Sequence, residues 1–229
     1  RSKGERKGHA LSLDAQLDLK GRLRGQPAVL KAEAQGAGQS WTLGVLAIQL
    51  GDNRINGSGS LQQRLAGRID LDLPRLGQLW PRLQGQVKGR LDVAGTLQAP
   101  QGTLTLQGQR LAQAETRLQQ LGLEARLDNA QRGVIELKAT GIQLGDTALG
   151  TLQANGKGDI RQQALTLALD GPQLKLDLGL DGQLSKGDWR GRLASGRIQA
   201  GGQDWQVQAP AALQRLASGQ LDFGAHCWR

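Results

Sequence analysis

Apolar and polar residues alternate one by one along most of this chain, most clearly between Leu65 and Leu97. From residue 65 to residue 73, leucine, isoleucine and glycine occupy the odd positions, whereas arginine, aspartate and alanine occupy the even positions. The same alternation resumes from residue 83 to residue 97. Because successive side chains of a β-strand point to opposite faces of a sheet, both segments are predicted to be strands with one apolar face.

The residues between these two strands follow a helical spacing instead. Leu76, Leu79 and Trp80 fall on one face of a short helix predicted over residues 74–80. Asp72 is its predicted N-cap, and Pro81 prevents its extension. A helix this short is not stable alone in water, so its apolar side chains are expected to be buried against the flanking strands. A core plug is favoured over a moving gate or a partner-binding helix.

Similar alternating units follow one another along the rest of the chain. They predict an all-β fold of about 16 to 20 short strands, and their short connections favour antiparallel neighbours. Stacked in one sheet, these strands would extend roughly 75 to 95 Å, so the sheet is expected to be elongated. Residues 110–122 fit either a helix or a strand pair, and a strand pair with a polar loop around Glu115 is predicted. Residues 9–229 are predicted to form a single continuous unit, preceded by a basic, disordered arm over residues 1–8.

Composition argues against a densely filled core and against nucleic-acid binding. Aromatic residues make up only 3% of the chain, and leucine recurs as the inward residue. Large interdigitating side chains bring interiors to high density, so a face of leucine, valine, alanine and glycine indicates a lining rather than a finished core. The net charge is +9, but single-strand nucleic-acid binding usually requires aromatic platforms beside the cations. The basic residues indicate a solvated outer face, with anionic lipid head groups as a secondary candidate partner.

The sequence contains no recognisable catalytic, cofactor or metal-binding motif. His9 and His226 lie near opposite ends of the chain, and no cluster of histidine, cysteine and carboxylate residues has metal-ligand spacing. We expect neither enzyme activity nor a cofactor. Cys227 is the single cysteine, and a free buried thiol or a partner outside this chain are the two alternatives. No stretch reaches the roughly 20 apolar residues of a membrane-spanning helix, and the chain is expected to be a segment of a longer protein.

The run DLPRLGQLWPRLQGQVKGRLDVAGTLQAPQGTLTLQGQRL, which begins at Asp72, resembles a recurring pattern of the TamB family of AsmA-like proteins in Gram-negative envelopes. In that pattern a short helix introduced by Asp-Leu-Pro precedes a strand with alternating glycines and a Gly-Thr-Leu turn. The segments GDWRG at residues 187–191 and GAHCW at residues 224–228 are also similar to this family. The resemblance extends from about Leu65 to the end of the chain, whereas residues 1–60 share only the general pattern.

This resemblance implies a curved, U-shaped sheet with an apolar groove, sometimes likened to a taco. It also implies anchoring to the inner membrane through an N-terminal segment outside this chain, and a periplasmic location. The family is implicated in phospholipid transport to the outer membrane and in outer-membrane protein assembly with the partner TamA. TamA would bind a region outside this chain, which is expected to be an internal or C-terminal-proximal segment. In relatives a second cysteine follows the one that matches Cys227.

Together, alternation and resemblance predict a lipid-transfer conduit. A continuous leucine-lined groove would remove acyl chains from water, at about 25 cal/mol per Å² of apolar surface. The alternatives are a chaperone that holds nascent outer-membrane β-barrel strands with TamA, and an enzyme acting on polysaccharide, for which aromatic platforms are lacking. The predicted groove residues are Leu11, Leu13, Leu17, Leu19, Ile69, Leu71, Val87, Leu91, Val93, Leu104, Leu106, Leu123, Leu127, Ile135, Leu137, Leu165, Leu167, Leu174, Leu176, Leu178, Leu180 and Leu193.

Overall fold

A computed structural model describes the backbone of residues 2–7 and 10–229 and the side chains of residues 12–229. Within these residues the chain forms seventeen β-strands and one short helix, α1, over Leu76–Leu79. The strands are β1 Ser2–Lys7, β2 Ala10–Leu23, β3 Gln26–Ala37, β4 Ser40–Leu50, β5 Asn53–Leu61, β6 Leu65–Leu73, β7 Leu83–Gly95, β8 Pro100–Gln113, β9 Thr116–Leu127, β10 Gly133–Leu144, β11 Thr147–Gly158, β12 Gln163–Asp170, β13 Leu174–Ser185, β14 Asp188–Ala200, β15 Gln203–Gln206, β16 Ala211–Arg215 and β17 Leu221–Phe223. The predicted all-β class, the number of strands and the position of the helix are confirmed.

The chain divides into two compact units. The first unit contains residues 1–114 and 126–131, and the second contains residues 115–125 and 132–229. In the first unit, each strand from β1 to β7 pairs antiparallel with the next strand along the chain. The single continuous unit that the sequence predicts over residues 9–229 stays a prediction.

The N-terminal segment differs from the predicted disordered arm. Residues 2–7 form β1, which pairs with the first half of β2 from Ser2 opposite Ala15 to Lys7 opposite Ala10. An unpaired strand edge offers a row of backbone donors and acceptors to any extended segment, whatever its side chains. Charge composition therefore did not exclude a strand here. The rest of the predicted arm, Arg1 and Gly8, lies outside the described residues, as does His9.

A β-bulge places the apolar side chains of β4 on one face despite an irregular spacing. Leu43 lies opposite Gly59 of β5, whereas Leu46 lies opposite Gly57, so β4 has one residue more than its partner between these pairs. The extra residue changes the parity of the strand, which puts odd-numbered and even-numbered apolar residues on the same face.

The second unit repeats the antiparallel pattern and then branches. Its strands pair in chain order from β9 to β14, and β14 then pairs with both β15 and β16. β15 pairs with the C-terminal half of β14, which ends at Ala200, whereas β16 pairs with the N-terminal half from Trp189 onward. β17 continues from β16, and Trp228 returns to form an isolated antiparallel bridge with Val207. Cys227 beside it is a free thiol and is exposed, so its predicted burial is wrong.

Helix α1 is shorter than predicted and is capped differently. Arg75, with φ of −139°, occupies the N-cap position without a side-chain capping bond, whereas Asp72 belongs to β6. Leu76 is buried, but Trp80 is 62% exposed, so the predicted burial of the whole apolar face is wrong. A single helical turn can direct only one or two side chains towards the sheet, and the others remain at its border.

Residues 110–122 form a strand pair, as predicted. β8 ends at Gln113 and β9 begins at Thr116, so the turn lies at Ala114 and Glu115. Ala114 has a φ of +52°, which is a left-handed turn conformation. No described helix is long and apolar enough to cross a membrane.

Candidate functional site

The predicted groove residues of β6, β7 and β8 share one face of the first unit. Ile69 lies opposite Leu91, which in turn lies opposite Leu104. These three residues form one cross-strand row, and residues two positions further along each strand form the neighbouring rows of the same face. The other predicted residues on this face of these strands are Leu71, Val87, Val93 and Leu106.

The predicted residues of β2 extend the same face of the first unit. Leu17 lies opposite Ala32, and Leu19 lies opposite Leu30, which continues into Ile48 of β4. Leu13 follows the same register, whereas the side chain of Leu11 lies outside the described residues. The register of the intervening strands joins all these positions into one apolar face from β2 to β8.

A second apolar face runs through the second unit. One of its rows contains Leu165, Leu180 and Leu193 as successive cross-strand neighbours. Leu123 lies in the part of β9 that belongs to this unit, whereas Leu127, at the same strand parity, belongs to the first unit. The remaining predicted residues fall in this and adjacent rows of the face and are Ile135, Leu137, Leu167, Leu174, Leu176 and Leu178.

Both apolar faces are only partly covered by protein. Among the side chains that the structure describes, the buried hydrophobic residues are Leu50, Leu76, Ala139, Leu193 and Ala211. Several predicted groove residues remain accessible, including Leu17 at 42%, Ile135 at 43% and Leu165 at 39%. A completed core would bury such side chains almost entirely, because apolar surface left in water lowers stability. Each unit therefore presents apolar surface that a ligand could cover.

Glycines on these faces make space for neighbouring side chains. At Gly89, an added Cβ would overlap the side chain of Leu106 and the backbone of Thr105, and at Gly156 it would overlap Ile135. Tryptophan rings lie over other glycines, with Trp41 over Gly36 in the first unit. Because glycine has no side chain, larger neighbours lean into its position and give the face its shape.

The opposite faces are polar and carry cross-strand ion pairs. Three consecutive pairs join β6 and β7, with nitrogen-to-oxygen distances of 2.6, 2.7 and 3.7 Å, and they are Arg68–Asp92, Arg90–Asp70 and Lys88–Asp72. The Asp92 carboxylate accepts a hydrogen bond from Arg68 and raises the pKa of that guanidinium. Exposed pairs contribute little stability, but opposite charges face to face disfavour a shifted register.

One hollow of the first unit is lined mainly by residues of the polar face. It has a volume of about 910 Å³ and includes Ser58, Arg68, Asp92 and Thr103, which form one cross-strand row. The row of Leu91 does not line this hollow, but the neighbouring predicted groove residue Val93 and Leu127 of β9 do. Most predicted groove residues of this unit therefore lie on the open apolar face, whereas Val93 and Leu127 also line this hollow.

Sequence reasoning missed several residues of the apolar faces. In β4 the bulge hides the alternation, because Leu46 and Leu43 share a face although their numbers differ in parity. The sequence signal was Gly44 inside a run of apolar residues, since an isolated glycine in a strand often marks a bulge. Other missed members become visible only from the register of the strands and are Leu30, Ile48, Ile55, Leu152, Leu169 and Ile198.

The strands pair antiparallel in chain order, and each unit has one open apolar face and one charged face. These features define the class of this chain as a repetitive β-sheet protein with apolar surface accessible to solvent. In the described residues no group of three or more histidine, cysteine, aspartate and glutamate side chains could hold a metal ion.

Comparison with known proteins identifies the family. The chain matches the family model "TamB, N-terminal domain" over residues 1–229, and it therefore belongs to this family. It is 27% identical over 220 residues to the translocation and assembly module subunit TamB of Haemophilus influenzae. This alignment covers 93% of the chain but only 17% of that relative. No solved structure matches the chain. The sequence predicts that this chain is an internal or C-terminal-proximal segment of a longer protein, whereas the matching family model is described as N-terminal. The position of the chain within the longer protein stays a prediction.

Proposed function

We propose that this chain is a segment of a periplasm-spanning conduit, in which phospholipid acyl chains move along the apolar faces between the inner and outer membranes. The observation that carries the proposal is the open apolar face of each unit, where leucines in register remain accessible. Leu165, for example, is 39% exposed although β12 is paired on both sides, where Leu165 lies opposite Gly156 and Leu180. An acyl chain laid on such a face would remove apolar surface from water on both partners.

The composition of these faces favours movement over tight binding. Their side chains are mainly leucine, valine, alanine and glycine, with little aromatic surface. Contacts to an acyl chain would therefore have similar strength at successive rows, at about 25 cal/mol per Å² buried. A ligand that loses and gains equal contacts as it advances by one row meets no deep minimum. Charged head groups could remain in water at the border of the face.

The proposed cellular setting follows the family. The Haemophilus influenzae relative is named as a subunit of a translocation and assembly module. We place this chain in the periplasm, within a longer protein anchored to the inner membrane and associated with TamA through another region. The proposed role is non-enzymatic, requires no cofactor and involves no nucleic acid.

The proposal is tested with adjacent residues on opposite faces of β8. Leu104 lies on the apolar face opposite Leu91, whereas Thr105 lies on the polar face opposite Arg90. We expect Leu104→Asp to reduce phospholipid that co-purifies with the chain severalfold, and Thr105→Asp to leave it unchanged. Mass spectrometry of gently purified protein measures the lipid, and circular dichroism confirms folding. Equal lipid content in both variants would contradict acyl-chain binding at this face.

Transport itself is tested in the full-length protein in cells. A charged residue in place of Leu91, Leu176 or Leu178 would interrupt a single-file apolar path, so each substitution is expected to reduce phospholipid delivery to the outer membrane. Thr166→Asp serves as the control, because Thr166 is exposed on the opposite parity of β12 between Leu165 and Leu167. Normal delivery by all three leucine variants would disprove the conduit.

The second candidate function is an assembly module that holds β-barrel strands. The name of the Haemophilus influenzae relative, which includes both translocation and assembly, favours this alternative. Apolar faces of this kind could cover the alternating apolar residues of a nascent strand. Binding of outer-membrane strand peptides to lipid-free protein, unaffected by added phospholipid, would support this function over the conduit.

A further inference from the structure

One edge of the first unit combines exposed arginines with exposed apolar side chains. We define the edge patch as Leu23, Arg24, Arg54, Trp80 and Arg82. These residues lie in or beside the β2–β3 turn, the β4–β5 turn and the segment around α1. All three segments belong to the first unit.

Hydrogen bonds hold these three segments together. The amide of Gly51 donates to the carbonyl of Pro27 at 2.8 Å, which joins the two turns. The guanidinium of Arg24 donates to the carbonyl of Leu79, which joins the first turn to α1. The guanidinium of Arg75 pairs with Asp52 at 2.9 Å. The patch is therefore a continuous surface carried by connected segments.

Apolar side chains in the patch extend into solvent. Trp80 is 62% exposed and Leu23 is 54% exposed. Tryptophan is amphipathic, because its ring is apolar whereas its indole N–H donates a hydrogen bond, and it concentrates at the level of lipid head groups. Exposed tryptophan and leucine side chains on connected segments are typical of a surface that another apolar phase covers.

The charge around these apolar side chains is predominantly positive. Arg24, Arg54 and Arg82 are exposed, and no described carboxylate forms an ion pair with them. Asp52, the acidic residue of the β4–β5 turn, is held by Arg75 and by the side-chain amide of Gln78. The patch thus leaves the guanidinium groups of Arg54 and Arg82 available for an anionic partner, and Arg24 retains the N–H groups that it does not donate to Leu79.

The opposite edge of the first unit provides an internal comparison. It includes the β5–β6 turn with Arg64 and the β7–β8 loop with Leu97, which is 64% exposed. Leu61 opposite Leu65 and Leu65 opposite Gly95 place the two connections side by side. This edge has an exposed leucine and an arginine, and the tryptophan beside it, Trp41 opposite Leu61, is half-buried.

We propose that the edge patch docks on the surface of a bilayer that contains anionic phospholipids. The arginines approach the lipid phosphates, whose charge complements theirs, while Trp80 and Leu23 enter the head-group region. This contact is separate from acyl-chain binding along the apolar faces and does not depend on it. It would give the first unit a preferred orientation at a membrane.

Vesicle flotation of the whole chain tests the role of charge. The chain is expected to float with equimolar phosphatidylcholine and phosphatidylglycerol vesicles, but not with pure phosphatidylcholine vesicles, and added salt should release it. Arg82→Glu should weaken this binding about tenfold, since each basic group near an anionic surface contributes on the order of a fivefold change in affinity. Arg64→Glu changes the net charge equally and should have a much smaller effect.

Fluorescence quenching by brominated lipid tests the role of the apolar residues. Trp80→Ala should remove most of the quenching seen with anionic vesicles, whereas Leu97→Ala should leave it intact. The proposal is overturned by a lack of binding to anionic vesicles, by equal binding to neutral vesicles, by equal losses in the two glutamate variants, or by full quenching without Trp80. Loss of co-purified lipid in Leu104→Asp with flotation preserved separates this contact from the proposed conduit.

Discussion

The two units cover parts of their apolar faces with different elements. In the first unit, α1 buries Leu76 and is held by the side chain of Asn53. In the second unit, the ring of Trp228 lies over Gly196, next to Leu178. One element is fixed mainly by hydrogen bonds at a buried polar group, whereas the other is fixed by aromatic contact. The comparison shows that two units built from similar antiparallel strands can cover part of their apolar faces with unrelated elements, here a helical turn and a tryptophan ring.

Asn53 explains why α1 keeps its position despite its length. The side chain is 2% exposed, and its amide donates to the carbonyls of Leu50 and Arg75 and to the side-chain oxygen of Gln78. Its own oxygen accepts a hydrogen bond from the amide of Arg75 at 3.1 Å. Since unsatisfied buried polar groups are costly, the turn and the helix stabilise each other.

The largest expected effect is that of Asn53→Ala in the first unit. Removing the side chain deletes its hydrogen bonds to the carbonyl of Leu50 and to the part-buried backbone of Arg75, which should lower the free energy of unfolding by about 3 kcal/mol. Urea denaturation measures the loss, and hydrogen exchange should show lower protection in β4–β7 but not in β13 and β14. Asn56→Ala on the exposed side of β5 is the control, and an equal loss there would refute the role of Asn53.

A smaller effect is expected for Trp228→Ala in the second unit. Loss of the ring uncovers Gly196 and part of Leu178, which should lower the free energy of unfolding by about 1 to 2 kcal/mol. Hydrogen exchange should increase in β14 and β15, while protection around α1 stays constant. Because the ring covers apolar surface, the variant should also bind a hydrophobic dye more strongly. Unchanged exchange in β14 would show that the ring contributes nothing there.

The smallest expected effect concerns a carboxylate in the second unit. The guanidinium of Arg197 donates hydrogen bonds to Asp204 and lowers the pKa of that carboxyl. A lowered pKa contributes stability above the ordinary aspartate value of about 3.9, and this contribution is lost as the pH falls through the folded-state pKa. NMR titration should show this shift, and Arg197→Gln should largely remove it.

Asp159 provides the control for this titration. The backbone amides of Arg161 and Gln162 donate to its carboxylate and lower its pKa. Because Arg197 does not take part in these bonds, Arg197→Gln should leave the titration of Asp159 unchanged. A shift of both carboxyls by the same amount would indicate a change in overall charge rather than loss of one ion pair.

Much of the fold follows from local residue patterns. Alternation predicted the strands, because apolar residues at every second position lie on one face only when the chain is extended. The turn at Glu115 was also predictable, since apolar alternation stops before it and resumes after it. The same alternation predicted the residues of the candidate site. The strand register places Leu91 opposite Leu104, so that neighbouring strands direct their apolar side chains to the same face.

The sequence by itself determined the class of fold, the faces of most strands and the presence of a helical turn near residue 76, because these depend on nearest-neighbour geometry. Only the tertiary structure decided how the strands pair around the bulge that Gly44 indicates, the exposure of Trp80 and the burial of Asn53. Each of these depends on residues that are distant along the chain and meet through strand pairing. Their free energies arise from contacts that no local pattern contains.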